Sequence, residues 1–204
     1  SVYGIADLTI TETPDTSYIG RLKIRVKDAK NFTEPRIYQG DGFTVALKAD
    51  GSVWAWGDNT YGQLGIGEDV KDVPFTVEPL RVKGVGGTGY LTMIEEVAVG
   101  KRHVLARGGD GSVYAWGDNS DSQLGVGLSA DTNPYITYPN YVKAGESNSS
   151  NPTSNMTGAI GIAVGDRHSA AIVNSSDVTG GAYTWGNNDR GQLGTGRLGI
   201  SEDL

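Results

Sequence analysis

The sequence predicts an all-β fold of short antiparallel sheets copied along the chain. The first observation is a phrase that recurs with small edits: SVWAWGDNTYGQLGIG at 52–67, SVYAWGDNSDSQLGVG at 112–127 and GAYTWGNNDRGQLGTG at 181–196. The second is glycine, 31 of 204 residues, about double the usual ~7% share, which supplies many tight turns. The third is that the runs between turns are short, apolar and rich in Val, Trp and Tyr, the signature of strands rather than helices.

The copies share a frame. Trp56, Trp116 and Trp185 stand 60 and 69 residues apart. An upstream glycine (Gly40, Gly100, Gly165) precedes them by 16, 16 and 20 residues, and the extra four read as the NSSDVTGG loop of the third copy. Gln63, Gln123 and Gln192 each follow the tryptophan by seven residues. Pro74 and Pro134 each precede a Val-Lys pair, Val82-Lys83 and Val142-Lys143, by eight. Fixed spacing over such distances marks one structural unit copied.

Within a unit the elements follow in order. In FTVALKADGSVWAW, two apolar runs flank Asp50-Gly51, a hairpin signal because glycine takes positive φ at little cost; Asp110-Gly111 repeats it. In VWAW and VYAW, alternation points Trp54 with Trp56, and Tyr114 with Trp116, to one face, and Val53 with Ala55, and Val113 with Ala115, to the other. Both faces are apolar, so both are expected to be buried, bulky face against small face. Each unit then reads as a strand after the glycine, the V-x-A-W strand, the Pro…Val-Lys strand and a strand ending at the next glycine. Stacking such sheets around an axis makes a β-propeller of four-stranded antiparallel blades.

A glycine, two residues, then His (Phe43 in the first copy), an apolar strand, the DG turn, V-[WY]-A-W-G-x-N and Q-L-G-x-G together resemble the regulator of chromosome condensation repeat. The resemblance covers 36–204 and implies a seven-bladed propeller with one repeat per blade. Blades are expected at 36–92, 93–158 and 159–204, the last cut short before its remaining strands. About three to three and a half units are an incomplete set. The missing blades or strands are expected from the rest of the chain or from a second chain. Residues 1–35 lie outside the repeat, where LTIT and RLKIRVK read as strands of a degenerate blade or of a preceding domain. With Met93 and Met156 the only methionines, Ser1 reads as a processed or internal start.

Composition narrows the function. Lys plus Arg is 17 and Asp plus Glu 24, a net charge of −7, which argues against nucleic acid as a partner. The absence of cysteine excludes disulfides and thiolate metal sites. No apolar run is long enough for a transmembrane helix, so no membrane insertion is expected.

The residues that invite chemistry read as structural. His103 and His168 share a slot with Phe43, and an imidazole replaceable by a phenyl ring fills space. Asp58 and Asp118 share a slot with Asn187, and turn residues that bond their own backbone tolerate that exchange, whereas a general acid–base pair does not. GVGGTG at 84–89 lacks the Lys-Ser/Thr of a phosphate loop. Gln63, Gln123 and Gln192 are expected to satisfy backbone groups in the turns. The repeated core is expected to be Trp54, Trp56, Tyr114, Trp116, Tyr183 and Trp185 with Leu64, Leu124 and Leu193. The sequons at Asn31, Asn148, Asn155 and Asn174 arise easily by chance, and 144–158 reads as a mobile loop. No enzyme, cofactor or metal is expected.

What varies while the frame stays fixed is the candidate recognition surface. Before the ring slot stand Asp41, Lys101 with Arg102, and Asp166 with Arg167; after WG(D/N)N stand Tyr61, Asp121, and Asp189 with Arg190. Variable charged loops on a rigid frame are where recognition is usually built. The leading expectation is a non-enzymatic protein-binding module, part of a larger bacterial secreted or surface protein. The resemblance also includes secreted bacterial propellers that bind and block enzymes. One alternative it implies is guanine-nucleotide exchange on a small GTPase. Another is a carbohydrate-binding propeller using Tyr61, Tyr135, Tyr138 and Tyr141. A cytoplasmic location is the alternative setting.

Overall fold

The computed structural model describes residues 5–11, 19–25, 33–145, 154–175 and 178–196. The sequons at Asn31 and Asn148, most of the 144–158 segment and the RLGISEDL terminus lie outside them. The chain divides into two units, Ser1–Phe32 and Thr33–Leu204. In the first, β1 (Ile5–Thr11) pairs antiparallel with β2 (Ile19–Arg25), Leu8 opposite Leu22.

The second unit holds three antiparallel sheets and, among the described residues, no α-helix. The first sheet orders β3 (Arg36–Gln39), β4 (Phe43–Leu47), β5 (Val53–Asp58) and β6 (Phe75–Arg81) side by side. The second repeats the order with β7 (Ile94–Val99), β8 (His103–Gly108), β9 (Val113–Asp118) and β10 (Tyr135–Tyr141). The third has β11 (Ala159–Val164), β12 (His168–Ser175) and β13 (Val178–Gly186).

Two expectations need correction. The strand that ends at each glycine belongs to the sheet that follows it, since β7 pairs with β8 across Val99 and Val104. Among the described residues the third sheet therefore has three strands, not two. The NSSDVTGG stretch is mostly strand: β12 and β13 pair out to Ser175 opposite Val178, so the insertion lengthens a hairpin. The extra residues extend an existing ladder, which satisfies their backbone groups without a new loop. The DG turns close as expected, with Gly51 at φ +73° and Gly111 at φ +79°, and Gly51 N and Gly111 N donate to the carbonyls of Lys48 and Gly108.

The sheets stack large face on small face. One core joins Val45, Leu47, Val53 and Ala55 of the first sheet to Val97, Val104, Ala106 and Trp116 of the second. Another joins Leu105, Val113 and Ala115 of the second to Ala159, Ala171, Val173 and Trp185 of the third. Trp116 and Trp185 are fully buried, and Leu64, Leu124 and Leu193 lie beneath the turns. Trp54, Trp56, Tyr114 and Tyr183 are only half-buried, a departure from the uniform core expected. Burial depends on the neighbouring sheet: the face carrying Trp54 and Trp56 points away from the second sheet. Tyr114 instead stands at a core margin, its ring 5.0 Å from that of Tyr141.

The lock between sheets is an indole over a glycine. Trp116 Nε1 donates to the Gln63 carbonyl at 3.0 Å, and Trp185 Nε1 donates to the Gln123 carbonyl at 2.9 Å. A Cβ on Gly65 or Gly125 would stand 2.7 Å from the indole nitrogen of Trp116 or Trp185. The Q-L-G turn of one sheet is thus the seat for the tryptophan of the next. Trp116→Ala is expected to cost about 3–5 kcal/mol, the range for large buried aromatics, in equilibrium denaturation. Trp56→Ala, on a half-covered face, is expected to cost much less, and equal losses would refute the stacking.

Candidate binding rim

The turns after the first and third strands of each sheet lie together at one end of the stack, and a network of side chains freezes them. Asp58 Oδ1 accepts from Thr60 N at 3.1 Å, Asp118 Oδ1 from Ser120 N at 3.0 Å and Asn187 Oδ1 from Asp189 N at 3.2 Å. This is the Asx turn the Asp-to-Asn exchange implied. The next residue bridges the loop: Asn59 Oδ1 accepts from Leu64 N, Asn119 Oδ1 from Leu124 N and Asn188 Oδ1 from Leu193 N. Gln63, Gln123 and Gln192 accept through Oε1 from Tyr61 N, Asp121 N and Arg190 N, each at 2.8 Å. Asn59, Gln63 and Gln123 are fully buried, so their bonds are needed to offset desolvation.

The histidines are part of the frame. Each ring of the shared slot packs on its upstream glycine, where a Cβ would collide with Phe43, His103 or His168. His103 is fully buried with Nε2 3.0 Å from Ser169 Oγ. Ser169 Oγ donates its single proton to the Gln123 carbonyl at 2.8 Å, so His103 must donate through Nε2–H. Its Nδ1 is buried without a partner among the described residues. Burial, and secondarily the neighbouring His168, pushes the imidazole down to about 3. It is neutral at neutral pH. Among the described residues no group of His, Asp and Glu could hold a metal ion.

The variable positions form the rim. An open groove of about 410 Å³ is lined by three equivalent turns: Gln39, Gly40 and Asp41; Val99, Gly100 and Lys101; Val164, Gly165 and Asp166. Its charged side chains alternate in sign along the stack. Arg102 and Arg167 turn out to staple neighbouring sheets, which the sequence did not reveal. The Arg102 guanidinium lies 4.5 Å over the Tyr61 ring and 3.8 Å from Asp41. Arg167 sits 3.2 Å from Asp121 and 3.8 Å from Asp189, and Asn187 Nδ2 donates to Asp121 at 2.8 Å. Lys101, Asp166 and Arg190 make no ion pair among the described residues and are exposed. Of the tyrosines raised for sugar stacking, Tyr61 is covered by Arg102, Tyr141 faces Tyr114, and Tyr138 packs against Gly87.

The His103 environment sets a pH dependence. The unfolded imidazole binds its proton near 6.5 and the folded one near 3, so the unfolded state takes up more protons between them. Stability held above 6.5 is therefore lost as pH falls through that window. His103→Phe, which restores the ring found in the first sheet, is expected to lose less stability on acidification than the unaltered chain. Parallel losses in denaturant titrations across that range would contradict the assignment.

Comparison with known proteins agrees with this geometry. The family model of the regulator of chromosome condensation (RCC1) repeat matches residues 50–107, 110–172 and 179–203. A second model of the same repeat matches 36–63 and 94–123. The first two of these matches run from the hairpin of one sheet into the next sheet, so each straddles two sheets, and the third begins in β13. The human E3 ubiquitin-protein ligase HERC2 is 32% identical over 158 residues, 77% of this chain but 3% of HERC2. The human probable E3 ubiquitin-protein ligase HERC4 is 31% identical over 175 residues, 84% of this chain and 14% of HERC4. The chain thus spans a small part of these relatives. Prp20p from Saccharomyces cerevisiae superposes with a TM-score of 0.62 at 22% identity, over 83% of this chain and 36% of Prp20p. The yeast RCC1 (Prp20) bound to Kap60 gives 0.63 at 22%, over 91% and 37%. With its glycine-seated tryptophans, its Asx turns and these matches, the chain belongs to the regulator of chromosome condensation (RCC1) repeat family and folds as β-propeller blades.

Proposed function

We propose that the chain is a non-catalytic protein-binding module whose stacked blades hold the variable rim against a partner. The observation that carries this reading is the groove built from three copies of one turn, in which the glycine is repeated and the charged tip is Asp41, then Lys101, then Asp166. A frame that fixes position while its tips change sign supplies register and specificity for a folded partner's surface. The groups that acid–base chemistry would use are committed elsewhere: His103 is buried and neutral, and Asp58, Asp118 and Asn187 are tied into turns.

The named relatives lend support at the level of class. The structural work on Prp20p concerns its binding to Gsp1p and histones, and a second structure holds it with Kap60. Ligase activity belongs to HERC2 and HERC4 as whole proteins, of which this chain spans 3% and 14%. These human and yeast relatives lend no support to a bacterial origin. Placement in a larger secreted protein is part of the proposal and rests on the acidic balance and cysteine-free composition.

Lys101→Glu and Asp166→Arg are the informative substitutions, because both side chains are exposed and unpaired in the groove. Each is expected to weaken a captured partner in calorimetric titration and to leave the melting temperature unchanged. A partner whose affinity ignores both would refute the rim as the binding surface.

A further inference from the structure

At the hairpin end, opposite the rim, the chain crosses from sheet to sheet once at each internal joint, and both crossings follow one plan. Lys83 bridges Tyr90 in the first, and Lys143 bridges Asn155 in the second. Each crossing then meets a hairpin turn: Ile94 N donates to the Gly51 carbonyl at 3.1 Å, and Ala159 N to the Gly111 carbonyl at 3.0 Å. Met93 and Gly158, one residue earlier, therefore hold equivalent places.

The second crossing satisfies its own side chains. Lys143 Nζ donates to Asn155 Oδ1 at 2.8 Å, and the Tyr141 ring packs 5.0 Å from that of Tyr114. In the first crossing Arg81 and Tyr90 stand in the places of Tyr141 and Asn155. The Arg81 guanidinium lies 4.7 Å over the Tyr90 ring and the Lys83 ammonium 5.5 Å from it. Two cations thus share one ring, which is itself 52% exposed. Arg36, Arg102, Arg107 and Arg167 each reach a carboxylate, whereas Arg81 and Lys83 make no ion pair among the described residues. Arg81 Nε is buried without a partner there. Asp50, whose carboxylate feels the charge of Arg81, is tied instead to Ser52 N and Oγ at 3.0 and 2.6 Å.

The backbone gives an independent sign. Gly158 takes φ +72°, which costs glycine little. Met93 takes φ +58° in the same place, uncommon for a residue with a side chain, and that side chain is 77% exposed. The other described non-glycine at positive φ, Ser122, is buried in its turn. Met93 bears its strain without burying its side chain, and strain of this kind clusters where binding uses the residue. Its flexible thioether adapts readily to an apolar group.

We propose that this crossing is a docking site for an acidic segment of a partner protein, separate from the rim. An apolar side chain of the segment rests on Tyr90 and Met93, and carboxylates beside it meet Arg81 and Lys83. Charge complementarity selects the occupant: the two cations lack carboxylates, and the exposed ring and thioether between the turns lack an apolar cover. All four residues lie within 81–93, the stretch that joins the first sheet to the second.

The two methionines supply the readout, since Met93 is exposed and Met156 is fully buried. The 204-residue chain with isotope-labelled methionine methyls is titrated with a synthetic peptide repeating Asp-Glu-Leu, with its Asn-Gln-Leu counterpart and with inorganic phosphate. The acidic peptide is expected to shift the Met93 methyl signal, to leave that of Met156 in place and to bind more weakly as salt rises. Arg81→Gln and Lys83→Gln are each expected to weaken the peptide about tenfold. Met93→Gly is expected to hold or raise the melting temperature and still to weaken the peptide in calorimetry, which separates a binding role from a structural one. A Met93 signal that the acidic peptide does not move overturns the proposal, as does an equal shift with the neutral peptide or with phosphate alone. So does peptide binding that survives both Arg81→Gln and Met93→Gly.

Discussion

An indole N–H given to a carbonyl that a glycine leaves uncovered is the interaction on which the rest of this structure depends. It fixes the distance and rotation between sheets, because a directional bond and a steric seat must be met together. Trp116 on Gln63 and Trp185 on Gln123 meet both conditions at nearly equal distances, 3.0 and 2.9 Å. The apolar faces around them supply most of the stabilisation by burial, which has no direction of its own. The bond and the glycine turn that burial into one geometry, and they explain why Q-L-G-x-G must accompany every V-x-A-W.

Holding the seat in place requires the turn beneath it to be rigid, and the buried polar network provides that rigidity. The Asp or Asn, the second Asn and the Gln of each turn are spent on backbone amides. The tip side chains between them have no part in their own turn's network, so Tyr61, Asp121 and Arg190 differ in size and charge while the backbone under them repeats. Two of these tips have been drawn into stapling, by Arg102 and Arg167. The groove residues Lys101 and Asp166 have not, which separates the stapling from the proposed recognition surface on one rim.

Much of this was legible in the sequence because repetition is itself a comparison. Phe43 in the place of two histidines identified a packing slot, and Asn187 in the place of two aspartates identified a turn. The DG hairpins and the small and large strand faces followed from local chemistry. What escaped was everything set between units. The repeat has no marked start, so blade bounds at 93 and a unit running from glycine to glycine disagree on where β7 belongs, and pairing with β8 settles it for the second sheet. Burial of Trp56 against Trp116 is decided by a neighbour rather than by the strand, and three similar strand motifs hide that difference. The staples escaped because their partners differ at each joint, an aromatic ring at Tyr61 and a carboxylate at Asp121. The lengthened β12–β13 hairpin was masked by glycine, serine and threonine, which read as loop.

Hydrogen exchange of the tryptophan indoles tests the central claim most directly, since the chain has four tryptophans with resolvable Nε1–H signals. In dilute solution the account predicts slow exchange at Trp116 and Trp185, which are fully buried and bonded to carbonyls, and fast exchange at Trp56. Equal exchange at all three repeated tryptophans would mean that the indoles do not lock the sheets, and would contradict the account.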